Sequence, residues 1–104
     1  MRGNTWGAAQ LGAELGERAT LVQFSSAFCQ PCRATRRVLA EVARMVEGVA
    51  HIEIDAEAHL TLVRELEISR TPTVLVLDAD GRIVRRAVGQ PRTADVVAAL
   101  GRAM

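Results

Sequence analysis

The chain has 104 residues, thirteen basic and twelve acidic side chains, and a net charge of +1. That length suits one domain spanning 1–104, large enough to bury roughly two thirds of its unfolded surface. Near-balanced charge, few aromatics and no long block of one sign give no footing for nucleic acid or an acidic membrane surface.

No apolar run is long enough to span a bilayer, and the N-terminus lacks the apolar core of a secretory signal. The expectation is a cytoplasmic protein. The alternative is a soluble domain of a membrane-anchored protein whose anchor was removed ahead of residue 1.

Residues 8–16 read as a short helix carrying Leu11 and Leu15. The stretch 20–25, TLVQFS, reads as a strand. A long helix follows over 31–47, with Val38, Leu39, Val42, Met45 and Val46 inward and Arg36, Arg37, Glu41, Arg44 and Glu47 outward. Pro31 suits its first turn, where a missing N–H costs nothing, and Gly48 suits its end. In 49–55, VAHIEID, Ile52 and Ile54 alternate with Glu53 and Asp55, as in a strand with one buried face. A helix over 57–67 presents Leu60, Val63 and Leu66.

TVLVL, 73–77, is a continuously apolar strand, predicted to be central and covered on both faces. DADG, 78–81, forms a hairpin turn with Gly81 at positive φ, and 82–88 returns as an arginine-bearing edge strand. Thr93 caps a last helix with Val96, Val97 and Leu100 inward. The order α-β-α-β-α-β-β-α predicts one mixed central sheet with helices on both faces.

The chemistry concentrates in FSSAFCQPCRATRR, which holds both cysteines, Cys29 and Cys32. A disulfide closing so short a loop adds little stability, so the pair is read as reactive. Cys29 lies between a strand and a helix N-terminus. The unpaired N–H groups there, with Arg33 one turn on, favour its thiolate, which is the attacking species. Cys32, one turn into the helix, is placed to resolve a mixed disulfide formed at Cys29. Pro31 restrains the loop between them. Two other readings fit the same pair: half of a zinc site completed by His51 and His59, and an inert buried pair. Elsewhere, Pro72 precedes an apolar strand, and local evidence alone favours an ordinary trans proline.

These features together resemble the thioredoxin family along nearly the whole chain: strand, CxPC, long helix, IEID strand, helix, TPT before an apolar strand, DADG hairpin and Val88-Gly89. The resemblance implies an α/β thioredoxin fold with a mixed sheet of about four to five strands. It also implies a cis Pro72 beside the cysteines, with the backbone of Thr71 pairing with a substrate chain. Phe28, Gln30, Pro31 and Gly89 border the same docking surface. No metal and no bound cofactor are implied, because the Cys29–Cys32 disulfide itself carries the electrons. The implied partners are protein disulfides and a thioredoxin-reductase-like electron donor, met by a monomer.

The sequence departs from the family beside the cysteines. Phe28 stands where a Trp is usual, Gln30 where Gly is usual, and Ser25 where a second Trp is usual. Gln23 occupies the position of a buried Asp that serves the resolving cysteine, and an amide cannot act as that base. His51 stands where a Lys commonly neighbours that Asp, which makes it a candidate substitute as well as a plain structural histidine. Gln23, Arg33 and His51 are therefore expected to tune the pair, whereas His59 reads as a solvated surface group. The function expected is a thiol–disulfide oxidoreductase reducing protein disulfides. The alternatives are a redox partner or membrane-associated maturation factor with a narrow client, and a non-catalytic binding module.

Overall fold

The computed structural model describes residues 5–104; the first four residues of the expected domain lie outside them. Four strands form one sheet in the order β2-β1-β3-β4. Strands β1 (Ala19–Ser25) and β2 (Val49–Asp55) run parallel, β3 (Thr73–Asp78) runs antiparallel to β1, and β4 (Ile83–Val88) antiparallel to β3. A parallel pair needs a crossover, and helix α2 (Gln30–Met45) supplies it.

Alternation along the strands divides the core in two. Val22, Phe24, Ile52, Ile54, Leu75 and Leu77 meet Leu11 of α1 (Ala8–Leu11) and Leu62 of α3 (Leu60–Glu65). On the opposite face Leu21, Val74 and Val76 meet Leu39 and Val42 of α2 and Val96, Ala99 and Leu100 of α4 (Thr93–Ala103). The predicted mixed sheet covered on both faces is the observed one. β3 is buried along TVLVL, and β4 lies at the edge with Arg85 and Arg86 exposed.

Several boundaries differ from the sequence reading, each for a local reason. α1 ends at Leu11 because Gly12 adopts φ +82 and turns the chain, so residues 13–16 are not helical. The segment 57–67 is two pieces. A 3-10 turn, Ala56–Ala58, is capped by the Asp55 side chain, and α3 begins only at Leu60. That break resets the helical phase, so Leu62 and Leu66 are buried and Leu60 is exposed.

α3 ends in a Schellman-type closure. Glu67 sits at φ +56, its N–H reaching Arg64 O at 3.1 Å, and Ile68 N–H reaches Val63 O at 2.9 Å. At α4, Arg92 is the N-cap and Thr93 the first helical residue, so Thr93 makes no cap. Val97 faces solvent and Ala99 takes the inward position instead. Met45, in the last turn of α2, is exposed, whereas Val46 beyond it packs on the core in extended conformation.

Candidate active site

The strands deliver three loops to one end of the sheet: the C-terminus of β1, the N-terminus of β3 and the C-terminus of β4. Cys29 is the N-cap of α2, and its sulfur accepts the Cys32 N–H at 3.2 Å. A helix N-terminus directs unpaired N–H groups and partial positive charge at that sulfur. Cys29 and Cys32 are joined as a disulfide, with Cα atoms 5.1 Å apart. Cys29 is half-buried, whereas Cys32 is 1% exposed. One sulfur is reachable and the other is covered.

Phe28 stands 99% exposed beside Cys29 in the left-handed region, at φ +56. That backbone costs a non-glycine residue on the order of 1 kcal/mol, and no burial of the ring offsets it. The Thr71–Pro72 bond is cis, as the family resemblance implies and against the trans bond that local evidence alone favours. Ser26 Oγ and Thr71 Oγ1 share a hydrogen bond of 2.7 Å, and Gly89 N–H donates to Pro72 O at 2.8 Å. Gly89 takes φ +90, which favours glycine there. These two bonds tie the loops of Phe28–Cys29, Thr71–Pro72 and Gly89 together. Beside Gly89, a groove of about 210 Å³ opens between β4 and α4, floored by Val74, Ala87 and Val96.

Gln30 and Pro31 are exposed in the first turn of α2. The Gln30 side-chain Oε1 accepts from Arg33 Nη2 at 2.7 Å, which holds that guanidinium beside the first turn of the helix. The histidines of the zinc reading are otherwise engaged. His59 Nδ1 lies 3.0 Å from Asp55 O, and His51 joins the cluster beneath Cys32.

That cluster is the part the sequence reading saw least of. Gln23 is 0% exposed in the middle of β1, yet its amide is fully used. Nε2 donates to Cys32 O at 2.8 Å and to Ser25 Oγ at 2.9 Å, while Oε1 faces His51 Nε2 at 3.1 Å. Ser25 Oγ donates in turn to Glu53 Oε2 at 2.8 Å, and Arg36 clamps Glu53 through Nε and Nη2 at 2.7 and 2.8 Å.

The Arg36 hydrogen bonds hold the Glu53 carboxyl below its ordinary range, against a smaller opposing effect of burial. Burial pushes the His51 imidazole below its ordinary value, with Glu53 pulling it up and Arg36 down. In the sequence Ser25 shows only as a departure from a usual Trp, and Arg36 and Glu53 only as outward-facing residues. Strand alternation held part of the signal: Gln23 and Ser25 share one face of β1, and His51 and Glu53 share one face of β2.

A mixed sheet with a reachable and a covered cysteine bridged at a helix N-terminus defines a protein built for thiol–disulfide exchange. The thioredoxin family model matches residues 9–102, and the chain belongs to that family. Thioredoxin from Mycolicibacterium smegmatis is 33% identical over 75 residues, covering 69% of this chain and 66% of that protein. Thioredoxin H5 of Arabidopsis thaliana is 26% identical over 84 residues, covering 81% of this chain and 70% of that protein. The matches thus span about two thirds of these relatives' lengths. The solved structure of a mutant thioredoxin from Halobacterium salinarum superposes with a TM-score of 0.76 at 21% identity, covering 84% of this chain and 75% of that one. No helix among the described residues is long and apolar enough to cross a membrane.

Proposed function

We propose that this chain reduces disulfides in protein clients through a cycle between the Cys29–Cys32 dithiol and its disulfide. Cys29 attacks the client disulfide and forms a mixed disulfide. Cys32 then attacks Cys29 Sγ, the client leaves as a thiol, and the internal disulfide closes. The observation that carries the reading is the asymmetry of the pair: Cys29 caps α2 and is reachable, while Cys32 is covered one turn away.

Phe28, Gln30, Pro31, Thr71, Pro72 and Gly89 form the surface on which a client segment lies, because all sit at the end of the sheet that presents Cys29. Gln23, Arg33 and His51 tune the pair. The disulfide is the only redox group the cycle needs. A thioredoxin-reductase-like donor returns the electrons to a monomeric protein in a reducing compartment such as the cytoplasm.

The test is reduction of a model protein disulfide with dithiothreitol as electron source, comparing wild type with Cys29→Ser. Turnover is expected to fall to the uncatalysed rate in the variant. Equal rates for the two proteins would remove the assignment.

A further inference from the structure

The groove between β4 and α4 starts at Gly89 and leads away from the cysteines. Its floor is Val74 and Val76 of β3, Ala87 of β4, and Val96 and Ala99 of α4. Gly89 lines its near end, and the Gly89 N–H bond to Pro72 O joins that end to the loop of Thr71 and Pro72. The groove is open because α4 stops short of the edge of the sheet. Val74 and Val76 are buried beneath α4, whereas their β4 neighbours Ala87 and Arg85 are half-buried and exposed.

Strand register fixes what stands at the far end. Val76 pairs with Arg85, so the Arg85 side chain shares the groove's face of the sheet. Leu75 pairs with Arg86, and Leu75 belongs to the opposite core, so Arg86 lies on the other face. From Gly89 back to Arg85 the strand spans about 13 Å.

The charges in the groove do not cancel. On the α4 wall Arg92 and Asp95 pair with each other at 3.4 Å. Arg85 has no ion pair among the described residues. An arginine on an edge strand ordinarily blunts that edge against strand pairing. Arg86 can do that from the other face, but only Arg85 closes an apolar trough. The trough, about 210 Å³, is smaller than the roughly 300–1,000 Å³ of a pocket that encloses a small-molecule ligand. It suits the side chains of a polypeptide laid along it, and its lone cation calls for a carboxylate among them.

We propose that the β4–α4 groove is a second recognition site for the client, seating an aliphatic side chain on Ala87 and Val96 and a carboxylate on Arg85. The inference rests on the reading of the Cys29 end as the client-docking surface. A client segment lying across Pro72 and Gly89 continues along β4, and about four extended residues carry it from Gly89 to Arg85. The favoured client has an aliphatic residue followed by Asp or Glu at that remove from its reactive cysteine. The guanidinium offers a carboxylate a fork of donors, and the apolar floor beside it strengthens the attraction by excluding water. Arg85 sets specificity only and stays clear of the reacting sulfurs.

The experiment measures the rate at which the reduced protein reacts with cysteine peptides whose thiol is capped by thionitrobenzoate. Attack by Cys29 on the peptide sulfur releases the coloured thiolate, and Cys32 then displaces the peptide as a thiol. The peptides carry Leu-Glu or Leu-Gln about five residues from the cysteine, on its N-terminal or its C-terminal side. At low ionic strength one of the two Glu peptides is expected to react roughly three- to fivefold faster than its Gln counterpart. Arg85→Ala is expected to abolish the preference. Arg86→Ala, which removes the same charge from the other face, is expected to keep it. Replacing Leu by Ser in the favoured peptide is expected to slow it roughly threefold. Reaction with dithiobis(nitrobenzoate), which does not reach the groove, is expected to stay within about twofold in both variants.

Equal rates for Glu and Gln peptides on both sides overturn the proposal. So does a preference that survives Arg85→Ala, one lost equally in Arg86→Ala, or a favoured peptide indifferent to the Leu-to-Ser change. Reaction of every peptide no faster than with Cys29→Ser overturns instead the underlying reading of client reduction, and this proposal with it.

Discussion

Cys29 and Cys32 lie one helical turn apart in opposite surroundings. Around Cys29 the partners are backbone: the Cys32 N–H and the open end of α2. The nearest side chain of size, Phe28, points into solvent. Around Cys32 the partners are side chains: Gln23, then Ser25 and His51, then Glu53 and Arg36. Backbone geometry survives most substitutions, whereas a buried polar cluster fails when one member is removed. The reachable cysteine is thus placed by the fold, and the covered one sits among a handful of replaceable residues.

The largest expected effect on stability comes from cutting the cluster at its centre. Gln23→Leu keeps comparable bulk but leaves Cys32 O without its donor and strands the Ser25 hydroxyl and His51. We expect a loss of about 3 kcal/mol, read as a lower denaturation midpoint in the oxidised protein. A midpoint unchanged from wild type would show that the two surroundings do not differ as described.

Acid tests the same contrast with a smaller effect. His51 binds a proton less readily in the folded protein than in the unfolded chain, so its contribution is complete above about pH 6.5 and is lost as pH falls below that. Glu53 holds its charge more readily when folded, so its contribution persists until pH falls through the carboxylate range, about 4.5 and below. The oxidised protein is expected to melt progressively lower as pH falls below about 6.5, with a further drop below about 4.5. His51→Gln should flatten the first segment and leave the second. Thermal melts across that range decide it, and an equally steep first segment in the variant would count against the described role of the ring.

The smallest effect belongs to the Cys29 side. Phe28→Gly removes a ring that is 99% exposed from a left-handed backbone position that glycine adopts freely. The variant is expected to gain no more than about 0.5 kcal/mol of stability, because glycine's extra freedom in the unfolded chain offsets most of the relieved strain. Its rate with a small disulfide should be unchanged, while KM for a protein client rises. A loss of stability, or an equal loss of rate with both substrates, would show that the ring supports the site rather than the docked client.

The sequence by itself determined the sheet and the place of the cysteines. Strand alternation, the uninterrupted apolar run of TVLVL and the strand–CxxC–helix order are local patterns, and each was realised where it was read. Helix faces were less legible. Leu60, Val97 and Met45 fit an apolar spacing yet are exposed, because phase and helix length depend on breaks such as those at His59 and Val46 that spacing does not reveal.

What only the tertiary structure decided is the company of Cys32. Gln23 and His51 were visible as departures from a family pattern. Their bond depends on the parallel register that sets β1 beside β2, and the Glu53–Arg36 pair depends on how α2 crosses over that pair. A polar residue in a strand shows its chemistry only when its neighbours in space are known, because its hydrogen bonds run across the sheet and not along the chain.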